Sequence, residues 1–94
     1  MRLTQEERDF FKSSISNFSN EAKVYLFGSR VDDDKKGGDI DLLIVSKEMT
    51  KQQVREVKIA FYKHFGEQKL DVILDDGQFK QPFTKLIAKR SIAL

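Results

Sequence analysis

The 94-residue chain has no cysteine and only one histidine, His64. Those two shortages exclude a disulfide framework, a thiolate zinc site and a histidine-rich metal cage. No apolar run approaches the ~20 residues that a membrane span needs. The opening "MRLTQEERDFF" lacks the apolar stretch of a signal peptide. A soluble, cytoplasmic protein with no membrane partner is the expectation. An excess of one charge sign is lacking as well: the net charge is +2, too small to argue for a nucleic-acid partner. Residues 1–46 carry seven basic and nine acidic groups and residues 47–94 carry ten and six, so −2 is followed by +4. A solvated helix surface accounts for that asymmetry; a basic rim beside an anionic substrate is the sharper alternative.

What is present is enough for one small core. The hydrophobic fraction is 39% with eight phenylalanines, so the chain should fold rather than stay disordered. One domain over 1–94 is expected, with little room for a separate substrate-recognition unit. Thr4 and Glu7 fit a capping box, and Phe11, Ile15 and Phe18 then recur on one helical face. "KVYLFGS" and "DIDLLIVS" read as strands. Thr50 to Phe65 reads as a helix with Val54, Val57, Phe61 and Phe65 on one side and Gly66 as its stop. "KLDVILDDG" is a third strand, with Asp75 and Asp76 as turn residues. Pro82 suits the first turn of a last helix, whose packed face would be Phe83, Leu86 and Ile87, with "SIAL" as a tail. The short connection from Arg30 to Gly38 allows only antiparallel pairing of the first two strands, whereas the helix between the second and third allows a parallel crossover. The expected fold class is α+β: a small mixed sheet with helices packed mainly on one face.

The segment "FGSRVDDDKKGGDIDLLIV" raises a chemical question. Asp39 and Asp41 interrupt what otherwise reads as a buried strand, and charges are rarely placed there without a partner. Strand side chains alternate, so these two share one face while Ile40, Leu42 and Ile44 take the other. Same-face residues two apart are separated by roughly 7 Å, from a rise of about 3.4 Å per residue. Carboxylates so spaced repel one another unless a hard cation such as Mg²⁺ sits between them. Asp71 interrupts the third strand in the same way and reaches the same face if the strands are neighbours. Gly28 and Ser29 end the first strand in a tight turn suited to holding phosphate oxygens.

The ordered set Gly28-Ser29, Asp39-x-Asp41 and a later Asp71 resembles the nucleotidyltransferase superfamily that includes DNA polymerase β, and its short length is similar to the minimal nucleotidyltransferases. The resemblance covers roughly Lys23 to Leu74, and loosely the final helix. It implies two Mg²⁺ ions on Asp39 and Asp41, with Asp71 sharing one and helping to activate the attacking hydroxyl. It also implies an ATP or other NTP substrate whose distal phosphates lie on Gly28, Ser29 and Arg30. Many minimal members are antitoxins encoded with a HEPN-type helical partner, and some transfer AMP to it. The chain departs from the pattern at Gly38, where many relatives have serine, and at Val31 and Asp32, where a small and a basic residue are common.

Other readings compete. Asp39 and Asp41 as edge charges against aggregation leave Asp71 unexplained. Asp32, set as the first position of an EF-hand loop, puts Lys36 fifth and Leu43 twelfth, where oxygen ligands are required, so that template fails. A non-catalytic subunit that neutralises a toxin by contact is the main alternative to an enzyme. A modifier of nucleic-acid ends would need a basic, aromatic-lined groove that this sequence does not offer.

Overall fold

The structure is a computed structural model that describes residues 3–28, 39–66 and 68–94. Arg30 and Ser29 of the expected phosphate turn lie outside the described residues, as do the acidic run Asp32 to Asp34 and Gly38.

Helix α1 (Gln5–Phe18) is opened by the expected capping box: the Thr4 hydroxyl accepts from the Glu7 amide, and the Glu7 carboxylate accepts from the Thr4 amide, each at 3.0 Å. Strand β1 (Lys23–Phe27) pairs antiparallel with β2 (Ile40–Val45). Helix α2 (Lys51–Phe65) begins with a second capping box, between Thr50 and Gln53, and ends at Gly66. It leads to β3 (Leu70–Asp75), parallel to β2. Helix α3 (Pro82–Lys89) follows, and the tail "SIAL", unassigned from sequence, contributes a short strand β4 (Ile92–Ala93) on the free edge of β1. The sheet order is β3-β2-β1-β4, so among the described residues three helices accompany a four-stranded mixed sheet.

Alternation along the strands sorts the sheet into two faces. Val24, Leu26, Ile40, Leu42, Ile44 and Leu70 join Phe11 and Ile15 of α1 and Val54, Val57 and Phe61 of α2 in one buried cluster. The Phe11 and Phe61 rings stack at 5.0 Å, and Phe10 and Phe65 meet Phe61 edge-on or tilted. Fully burying each such ring or aliphatic chain contributes roughly 1.5–3 kcal/mol. Phe18, expected on the packed face of α1, is exposed instead and takes no part in the buried cluster.

The second face is covered by different means. The β2–α2–β3 connection moves one way across the sheet, and β3–α3–β4 moves back the other way between parallel strands. Right-handed crossovers in opposite directions place their helices on opposite faces, so α3 lies away from α1 and α2. Leu43 points to that face and is nonetheless fully buried; Ile87 and Thr84 of α3 are buried as well, and none of the three belongs to the main cluster. Phe83 and Leu86, expected to pack, are more than half exposed. An eight-residue helix crossing a sheet contacts it along one narrow stripe, and here that stripe runs through Thr84 and Ile87.

Candidate active site

Register decides what the acids do together. Paired residues on neighbouring strands share a face. Asp41 stands level with Asp71 on β3 and with Phe27 on β1, which gives a row Phe27–Asp41–Asp71 across three strands on the α3 side of the sheet. Leu43 and Ile73 form the next row. Asp39, expected inside the strand, lies just ahead of β2. A backbone bond from the Ile40 amide to the Lys69 carbonyl, 3.1 Å, holds it beside the start of β3. The three carboxylates are therefore grouped at the N-terminal ends of two parallel strands, all partly open to solvent.

Gly28 closes the site on the β1 side. Its φ is +79°, a region that glycine adopts freely and other residues adopt at a cost. A Cβ built there would collide with the Asp41 carboxylate. The glycine is thus required twice, by its own backbone and by the approach of the aspartate to the turn. Of the expected site residues, Gly28, Asp39, Asp41 and Asp71 are brought together; Ser29 and Arg30 follow directly after Gly28, outside the described residues.

Among the described residues the electrostatics are those of an acidic cluster joined by the ammonium of Lys69. Burial raises the Asp41 carboxyl above its ordinary value, and the charges of Asp71 and Asp39 raise it further. Lys69, which the sequence reading passed over, places its ammonium 3.4 Å from an Asp39 oxygen and 4.0 Å from an Asp71 oxygen. Those carboxylates in turn hold the lysine charged more firmly than usual, Asp39 most strongly. The signal that could have found it is its spacing: Lys69 is two before Asp71 and so shares its face.

Among the described residues no group of three His, Cys, Asp or Glu side chains stands gathered to hold a metal ion. The donor set still suits a hard divalent cation. It consists of carboxylate oxygens alone on three partly exposed side chains, two of which share the Lys69 ammonium as a counter-charge.

A family model of the nucleotidyltransferase domain matches residues 8–93, nearly the whole chain. The chain belongs to the nucleotidyltransferase domain family. The α+β architecture agrees with that assignment, and the match supports nucleotidyl transfer as the general activity of the domain. A comparison with curated proteins returned no match. In this nucleotidyltransferase the family match also covers most of α1 and reaches β4, beyond the segment from Lys23 to Leu74 and the final helix on which the sequence resemblance rested. No helix among the described residues is long and apolar enough to cross a membrane.

Proposed function

We propose that the protein is a Mg²⁺-dependent minimal nucleotidyltransferase that moves a nucleoside monophosphate, AMP from ATP, onto a hydroxyl of a partner protein of the HEPN type. The observation that carries this reading is the level placement of Asp41 and Asp71 on adjacent strands, with Gly28 pressed against Asp41. Asp39, Asp41 and Asp71 would hold the cations. Divalent ions bound there supply neutralisation of charge on the attacking and leaving oxygens. Asp71 would accept the proton of the attacking hydroxyl, and the Gly28-Ser29-Arg30 turn would bind the distal phosphates. In the reaction an O–Pα bond forms, the bond from Pα to the bridging oxygen breaks, and pyrophosphate leaves. The chain's own share would be to hold Asp41 and Asp71 level on neighbouring strands beside Gly28, so that the acceptor meets Pα in line.

One feature supports a protein acceptor. The outward side of α3 presents Phe83 and Leu86 among Lys80, Lys85, Lys89 and Arg90, an exposed apolar pair with a basic surround.

The test is to purify the protein with the product of the adjacent gene and add α-labelled ATP with Mg²⁺. Label on the partner is the expected result. A tight complex without label would favour contact-only neutralisation. The Asp39→Asn, Asp41→Asn double variant is expected to lose transfer by roughly 10³-fold or more and still melt cooperatively. Full transfer by that variant would sink the mechanism.

A further inference from the structure

We propose that Lys69 is a substrate-binding residue with two successive partners: the Asp39 and Asp71 carboxylates in the free protein, and the nucleotide's polyphosphate once a divalent cation occupies those carboxylates. The inference rests on reading the three acids as the cation site.

The geometry gives the first partner. The Lys69 ammonium lies within ion-pair distance of one oxygen on each of two carboxylates that belong to different strands, at 3.4 and 4.0 Å. Its side chain is two-thirds exposed, so it is not anchored in the core. An ammonium in this position offsets the repulsion within the acidic cluster while no metal is present. It occupies the same electrostatic position that a divalent ion needs, so the two compete.

Chemistry gives the second partner. A divalent ion binding Asp39 and Asp71 takes both anions away from the lysine. The ammonium is then left on a flexible four-carbon stem at the rim of a site whose new occupant is a polyanion. Lysine binds phosphate as a mobile point charge rather than through fixed bidentate geometry, so a short swing of the side chain suffices. The same residue would therefore hold the metal site weakly closed in the free protein and add a phosphate contact in the loaded one.

These roles predict opposite effects of one substitution. In Lys69→Met, Mn²⁺ binding without nucleotide, followed by the paramagnetic resonance signal of the free ion, is expected to tighten roughly three- to fivefold, the strength of an exposed ion pair. Binding of a non-hydrolysable ATP analogue with Mg²⁺, measured by calorimetry, is expected to weaken about tenfold through loss of one charged phosphate contact. Lys69→Arg should restore nucleotide binding substantially. If Mn²⁺ affinity is unchanged or weakened in Lys69→Met, the competition is wrong. If nucleotide affinity is unchanged, the second partner is wrong. In either case the carboxylate site stands as long as the unsubstituted protein binds Mn²⁺. If neither protein binds Mn²⁺, the cation site falls and this inference falls with it. Lys69 is exposed, so folding of the variants is checked by thermal melting alone.

Discussion

Asp41 carries an internal conflict that a single substitution can expose. Its carboxyl is held above the ordinary value of 3.8, mainly by burial and then by the negative charges of Asp71 and Asp39. The folded protein thus takes up a proton there more readily than the unfolded chain does. The charged form costs stability at neutral pH, and that cost disappears as the pH falls from the raised folded-state value toward 3.8. Asp41→Asn should accordingly melt at a higher temperature than the unsubstituted protein at pH 7. The difference should close as the pH is lowered through this window, which thermal melts across a pH series would check. A variant that melts lower at pH 7 would contradict the account. Gly28 makes the complementary prediction. Gly28→Ala is expected to cost about 1–3 kcal/mol, a drop on the order of 4–8 °C in melting temperature for each kcal/mol, and to lower transfer activity by displacing Asp41. Of this site, Asp39, Asp41, Asp71 and Gly28 were legible from sequence because each breaks a local rule: acids in apolar strands, and a glycine at the end of one. Lys69 was not legible, since a lysine before a strand breaks none.

At the scale of elements, local signals read well and faces read less well. Both early helices begin where capping chemistry places them, and β1, β2 and β3 follow their apolar runs. α3 was harder. Periodicity alone gives Phe83, Leu86 and Ile87 as one apolar stripe, yet the helix packs through Thr84 and Ile87. The side that a short helix presents to a sheet is set by how the chain crosses that sheet, which the helix's own residues do not encode. β4 was missed for a related reason: two residues carry no alternation to read, and they become a strand only because β1 offers a free edge. Substitution can separate the two sides of α3's neighbourhood. Leu43→Ala, which hollows the face beneath it, should cost about 2–5 kcal/mol in denaturant unfolding. Phe83→Ser with Leu86→Ser should change stability by no more than about 0.5 kcal/mol per position, since both side chains face outward. A large loss from the pair would mean that α3 packs through them after all.

For the whole molecule, the main fact is that the two parallel crossovers run in opposite directions and so cover opposite faces. α1 and α2 cover one side over its main apolar cluster. α3 meets the sheet at β1 on the other, and the acids grouped at the N-terminal ends of β2 and β3 stay partly open to solvent. The sheet order was not legible beyond its first three strands, because the fourth depends on a return across the sheet that only the folded chain shows.

That topology also has a consequence for the order of assembly. The β1–β2 hairpin closes over a short stretch of chain and brings Gly28 to Asp41 early. Asp71 arrives only after α2 has folded and carried β3 back alongside β2, a more distant closure with a higher entropic barrier. By the same measure the third negative charge is expected to join after the hairpin and before β4, whose pairing with β1 spans more chain still. Interactions formed after the transition state act chiefly on the rate of unfolding. The crowding of these acids is therefore expected to shorten the lifetime of the folded molecule more than it slows folding, which unfolding and refolding rates of Asp71→Asn would check.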